Sequence, residues 1–199
     1  MIPAMRPMDE ATREQLRDEV NRLAATAGVR ERVERVYADL QSRIDQRRPR
    51  CDASGRCCRF EQFGHRLYVT TLELAAFVAR LRERPPGGRV NADPGGCAFQ
   101  IDGLCSVHAI RPFGCRVFFC DPAAADWQEQ TYGEFHARLR ALHGELGAGY
   151  RYVEWREALE AIGLPVSPAT SDAASAPGPG GADAAGRRLV VLSTREGSL

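Results

Sequence analysis

Seven cysteines stand in two tight groups, Cys51, Cys57 and Cys58, then Cys97, Cys105, Cys115 and Cys120. Thiolates are soft ligands for zinc, iron and iron-sulfur clusters, and four of them complete one site. A disulfide framework is the competing reading. It favours an even count, a secreted context and cysteines spread to staple loops. Here the count is odd, and the opening residues Met1 to Glu10 carry no apolar core of signal-peptide length. The thiols are therefore expected to be reduced and available for ligation in a cytoplasmic protein.

Seven thiols exceed one four-ligand site and fall one short of two. An open position would distinguish a substrate-binding metal from a structural one. His108 follows Cys105 by three residues and is the first non-thiol candidate, ahead of His65, the Ser54 hydroxyl and water. Adjacent side chains of an extended segment point to opposite sides, so Cys57 and Cys58 are expected to serve two centres, or one centre and the core. Arg111 and Arg116 flank Cys115 and could offset the negative charge of a tetrathiolate centre. They are the candidate cofactor-binding cations. Pro112 would preset the turn before Cys115.

The order of these parts resembles the YkgJ-like family of zinc- or iron-chelating proteins, known for a CxxCxxCC signature. The residues that carry the resemblance are Cys51-x-x-Ser54-x-x-Cys57-Cys58, Gly96-Cys97, Cys105-x-x-His108, Arg111-Pro112-x-x-Cys115-Arg116 and Phe119-Cys120, within about residues 50 to 160. The resemblance implies metal or iron-sulfur binding without an established reaction. Ser54 departs from the signature at its second cysteine, so no ligand role carries over to it. Abundant thiols with little histidine lean slightly toward an iron-sulfur centre, such as a four-iron four-sulfur cluster, over zinc.

Two function classes follow. One is a structural or electron-transferring metal module. The other is a metal-dependent enzyme, or an accessory subunit of a modification enzyme, because flagellin lysine methylases have a cysteine region similar to this family's. No glycine-rich nucleotide loop, Ser-His-Asp order or paired-carboxylate motif supports autonomous catalysis, which favours the first class and gives no catalytic residue. All 27 basic residues are arginines opposed by 26 carboxylates, for a net charge of +1. That balance leaves no electrostatic footprint for nucleic acid. No apolar run is long enough to span a membrane.

The elements that must position the thiols are mainly helical, with small β-hairpins, in one cysteine-rich, metal-stapled domain. Residues 1–49 read as an amphipathic helical arm, either two helices or one bent at Gly28, and a possible docking face for a protein partner. Leu16, Val20, Leu23 and Ala27, then Val29, Val33, Val36, Leu40 and Ile44, recur at helical spacing. Residues 50–164 form the metal-binding domain with its closing helices. Within it, Arg66 to Val69 leans to strand. Thr70 and Glu73 predict a capping box opening a helix with the stripe Leu74, Phe77, Val78 and Leu81. Asp102-Gly103 predicts a hairpin that brings Cys97 and Cys105 together. Arg116 to Phe119 reads as a strand. Thr131 and Glu134 suggest the start of a return helix, and Tyr152 to Ile162 a last helix whose Tyr150, Tyr152 and Trp155 cover the cysteines. Residues 165–199 read as a disordered low-complexity tail, with an edge strand at Leu189 to Leu192 as a weak signal.

Overall fold

A computed structural model of the 199-residue chain describes residues 7–85, 90, 91, 93 and 95–164. The low-complexity tail and the Leu189 to Leu192 signal lie outside these residues.

The periodicity near the N-terminus yields two helices, α1 (Glu10–Ala25) and α2 (Val29–Arg47). Asp9 opens α1 by accepting from the Thr12 backbone N–H at 2.7 Å, satisfying one of the donors a helix start leaves free. Gly28 separates the two at φ +81°, a left-handed conformation that glycine takes at little steric cost. The buried stripe of α1 is Leu16, Val20 and Leu23, and that of α2 runs from Val29 to Ile44. Both stripes pack on α4 (Thr71–Arg82), which α1 contacts more extensively than any other element. The apolar stripes of residues 1–49 thus belong to the same core as the middle of the chain.

Helix α4 begins with the predicted capping box. Thr70 accepts from Glu73 N–H, and Glu73 returns a carboxylate oxygen to Thr70 N–H at 2.9 Å. Eight of its positions, Thr71 through Val78, are buried on every side, which marks a helix enclosed by neighbours rather than lying on a surface. Before it, after the four-residue α3 (Phe60–Phe63), comes β1 (Tyr68–Thr70). This strand pairs antiparallel with β4 (Tyr152–Glu154), with Val69 opposite Val153.

The second antiparallel pair is a hairpin, β2 (Gln100–Ile101) and β3 (Leu104–Cys105). Asp102 and Gly103 both have positive φ, 51° and 81°, the twist that a two-residue turn requires to match its strands. The remaining helices are α5 (Phe113–Val117), α6 (Ala125–Glu145) and α7 (Trp155–Ala161). Among the described residues no helix is long and apolar enough to cross a membrane.

Three local expectations are corrected. Arg116 and Val117 end α5 instead of starting a strand, because a distant carboxylate holds the first N–H of that helix: Phe113 N–H donates to Glu73 at 2.9 Å. The return helix starts at Ala125, not Thr131. Asp121 caps a short turn at Pro122–Ala124 that leads into it, and Thr131 lies buried in its interior. Tyr152 to Glu154 is strand because β1 supplies a partner, so the last helix begins at Trp155. There Glu154 caps it by accepting from Arg156 and Glu157 N–H.

Candidate metal centre

Cys57 and Cys58 occupy a 3-10 turn, Arg56–Cys58, rather than an extended segment. The tight turn brings their sulfurs to 4.0 Å, which corrects the expectation that they diverge. Adjacent residues in such a turn are rotated by about 120° instead of 180°. The turn is fixed from behind by Gly55, at φ +70°, whose carbonyl accepts from Gln100 Nε2 at 3.0 Å. Gln100 also reaches the Gly103 carbonyl at 3.3 Å, so one amide joins the cysteine turn to the hairpin.

The backbone then places Cys97. Its N–H donates to the Cys58 carbonyl at 2.7 Å, and Asn91 Nδ2 holds its own carbonyl at 3.2 Å. From the hairpin, Cys105 stands opposite Gln100, and Ser106 N–H donates to the Phe99 carbonyl at 2.8 Å. The result is a gathering of thiols: the Cys58 sulfur meets that of Cys57, and Cys105 and Cys97 are near enough to shift its pKa. Cys58 and Cys97 are buried, while Cys57 and Cys105 are partly open to solvent.

The Cys58 thiol is favoured in its protonated form. The thiols of Cys105, Cys57 and Cys97 push its pKa far up, aided by burial. Its three neighbours move the other way. Contact with Cys58 brings Cys57 down to about 7 against the opposing effect of burial, with help from its backbone N–H and from Arg111. Cys105 falls to about 7 for the same first cause, helped by Val107 N–H and Arg111. Cys97 is lowered by Cys58, then by Phe99 N–H and the Trp155 indole. Thiols poised this way give up protons readily to a cation. All seven cysteines are free.

Cys115 lies beside the four. Burial raises its thiol well above the ordinary value, and the charges of Cys97, Cys105 and Cys57 add to the rise. Burial raises the Cys120 pKa, the Ser54 hydroxyl opposes the rise, and Cys57, Arg56 and Cys51 lie within electrostatic range. Cys51 is exposed. Cys57, Cys58, Cys97 and Cys105 thus lie nearest one another, with Cys115 and Cys120 within electrostatic range of Cys57.

Of the two arginines, Arg111 faces the thiols. It lowers Cys57, Cys105 and Cys115 through its charge, and its Nε donates to the Cys115 carbonyl at 3.3 Å. Arg116 lies 4.4 Å over the Tyr37 ring, donates to the carbonyls of Arg111 and Ala109, and stays within electrostatic range of Cys115. It braces the loop that carries Arg111. His108 is exposed, with Nδ1 at 2.8 Å from Arg111 Nη1. His65 is wedged between Phe60 and Phe118, with Nε2 3.3 Å from the Cys57 carbonyl.

An aromatic wall closes the buried side. Trp155 meets Phe77 edge to face at 5.1 Å, and Phe99 packs against both. Trp155 is 1% exposed, and its indole faces the Cys97 thiol. Tyr150 and Tyr152 do not share this task. Tyr152 stacks on Tyr68, and both surround His136 on the far side of β4. Sequence alone gave no signal for Asn91 or Gln100, because their partners are set by chain reversals that neither residue announces.

Gly55 provides a direct test of this architecture. A Cβ there would fall 2.4 Å from Gln100 Nε2 and 2.6 Å from the Gly103 carbonyl oxygen. Gly55→Ala is expected to lose about 1–3 kcal/mol from the left-handed backbone, with the collision adding to it. Gly64→Ala is the control, since Gly64 has φ +63° but nothing within 4 Å of its Cβ position. Thermal unfolding of both should show the larger fall in Tm for Gly55→Ala.

Among the described residues, no group of three or more His, Cys, Asp or Glu side chains is arranged to hold a metal ion as it stands. Comparison with known protein families, curated proteins and solved structures finds no match to this chain.

Proposed function

We propose that the chain is a metal-binding module of the YkgJ-like kind, in which Cys57, Cys58, Cys97 and Cys105 hold one ion in a structural or electron-transfer role. The observation that carries this reading is the 4.0 Å approach of the Cys57 and Cys58 sulfurs in a turn whose Cys58 carbonyl accepts from Cys97 N–H and which Gln100 ties to the hairpin that bears Cys105. The donor set fits in kind and number. Binding would replace the Cys58 proton and draw the sulfurs inward, so metal affinity becomes folding energy.

The buried Trp155 N–H fits as well. It lies against Cys97 and lowers the pKa of that thiol. A ligated thiolate keeps its negative charge and is a better acceptor than a thiol, which gives this donor a use. Arg111 offsets part of the charge of a tetrathiolate centre from the solvent side.

Zinc suits the site better than an iron-sulfur cluster. Four thiolates at about 2.3 Å from one zinc ion stand about 3.8 Å from one another. The Cys57 and Cys58 sulfurs are 4.0 Å apart. Thiolates of a cluster bind different irons and stand farther apart, so two sulfurs on adjacent residues of one tight turn fit a single ion. The composition leans slightly to iron-sulfur, and this separation is the argument for zinc.

The test is elemental analysis of the full chain purified reduced and under oxygen exclusion. One zinc per chain and no visible colour are the expected result. A brown protein that bleaches with dithionite would replace zinc by a cluster. Fully folded protein containing neither metal would end the proposal.

A further inference from the structure

Two of the thiols in the proposed site are neighbours in sequence as well as in space. Cys57 and Cys58 carry sulfurs 4.0 Å apart. The turn that sets this distance is held through its backbone: Cys58 N–H donates to the Gly55 carbonyl at 3.1 Å and Arg59 N–H to the Arg56 carbonyl at 3.0 Å. The Cys58 carbonyl in turn accepts from Cys97 N–H at 2.7 Å. The two thiols differ in access. Cys57 is partly open to solvent, while Cys58 is buried at 6% exposure. A small oxidant therefore meets Cys57 first, with Cys58 behind it as a resolving thiol, the arrangement that redox-sensing cysteines use.

We infer that Cys57 and Cys58 are a vicinal dithiol switch, which a hydroperoxide closes to a disulfide and which thereby releases the ion held by the four thiols. This regulation rests on the metal-site reading above and adds an oxidant to it. The thiolate is the metal ligand, and a disulfide sulfur has lost that charge. Closure removes two donors at once. Cys97 and Cys105 are left, and two thiolates do not complete a four-coordinate zinc site.

The steps balance with hydrogen peroxide as the oxidant. The Cys57 thiolate attacks one peroxide oxygen, the O–O bond breaks, and the second oxygen takes up a proton and leaves as water. Cys57 is then a sulfenic acid. The Cys58 thiolate attacks the Cys57 sulfur, forming the S–S bond and breaking the S–O bond, and the departing hydroxide takes a second proton. Two thiolates lose two electrons and the peroxide gains them. Closing the ring brings the sulfurs from 4.0 Å to about 2.05 Å. Adjacent Cα atoms stand about 3.8 Å apart across one trans peptide, short of the usual disulfide range of about 4.4–6.8 Å. The closed form is therefore strained, and strained disulfides are the readily reduced ones. A thiol reductant reopens the pair.

Trypsin separates the relevant thiols. Cys57 and Cys58 fall in peptide 57–59, Cys51 in 51–56, Cys97, Cys105 and Cys115 in 90–116 because Arg111 precedes a proline, and Cys120 in 117–138. Full-length zinc-loaded protein is titrated with hydrogen peroxide, stopped with catalase, denatured, alkylated and digested, while a colorimetric chelator follows zinc release. The expected first product is peptide 57–59 lighter by two hydrogens and closed to alkylation, with one zinc set free per ring and both changes reversed by dithiothreitol. Cys105→Ser retains the pair and should form the same ring whatever its metal content. Any of three results overturns the switch: 57–59 linked to another peptide, first oxidation at thiols outside 57–59, or ring formation with the zinc retained. Protein that holds no metal before peroxide is added defeats the metal site and with it the release, while the mass of 57–59 still decides whether the pair closes.

Discussion

Cys58→Ser is expected to abolish metal binding and to lower the melting temperature by about 8–16 °C. Cys58 is the hub of the proposed site: its sulfur is 4.0 Å from that of Cys57, Cys97 and Cys105 both act on its pKa, and it is buried at 6% exposure. A serine oxygen in its place is shorter and harder, so the three remaining thiolates would surround a poor ligand. With free metal a thousand times above its dissociation constant, losing the bound ion removes about 4 kcal/mol. A chain of this size loses about 2–4 °C per kcal/mol. Calorimetry with and without a chelator measures both parts.

The comparison that isolates the metal term is Cys115→Ser. Cys115 lies near the same thiols but is not among the sulfurs that most strongly raise the Cys58 pKa. It is expected to retain one ion per chain and to lose only the packing of its own thiol. If Cys115→Ser loses the metal while Cys58→Ser keeps it, the hub is assigned to the wrong sulfur. If chelation leaves the unmodified chain's melting temperature unchanged, no structural ion is present.

Local signals were legible in the sequence, and long-range ones were not. Thr70 with Glu73, and Asp102 with Gly103, each fix a structure through partners within three residues, and both were read correctly. The helical stripes of α1 and α2 were equally plain, because one buried face dictates the spacing. Failures fell where a distant group decides. Residues Arg116 and Val117 are helical because Glu73, some forty positions earlier, holds the first N–H of α5. Tyr152 to Glu154 is strand because β1 lies alongside. The cysteine signature suggested a chemistry for these thiols but did not tell which of them lie together. Which sulfurs meet depends on the Cys97 N–H bond to Cys58 and on the Gln100 link to Gly55, and neither follows from spacing.

Glu73 is the position where a polar substitution should cost most. Its carboxylate is 1% exposed and serves two helix starts at once, accepting from Thr70 N–H at 2.9 Å and from Phe113 N–H at 2.9 Å, with the Tyr37 hydroxyl at 3.5 Å. Glu73→Gln replaces one acceptor oxygen by an NH₂ group that faces a backbone donor. Leaving a buried donor unsatisfied costs about 1–3 kcal/mol, and Glu73→Ala removes both acceptors and leaves a cavity as well. The loss should reach the metal site, because Phe113 begins the helix that carries Cys115. The pH dependence gives a second, independent reading. Burial raises the Glu73 pKa, with the hydrogen bonds from Thr70, Phe113 and Tyr37 opposing. A carboxyl whose folded pKa lies above its unfolded value binds more protons in the folded state, so this contribution is fully present below the unfolded pKa. It is lost as pH rises through the folded pKa. The glutamine variant has no such proton to gain. Its deficit relative to the unmodified chain should therefore widen as pH falls from 7 toward the unfolded carboxyl pKa of about 4.3. Urea unfolding of both proteins across that interval measures the difference, and a deficit that shrinks on acidification would mean that the buried carboxylate is stabilised in its charged form.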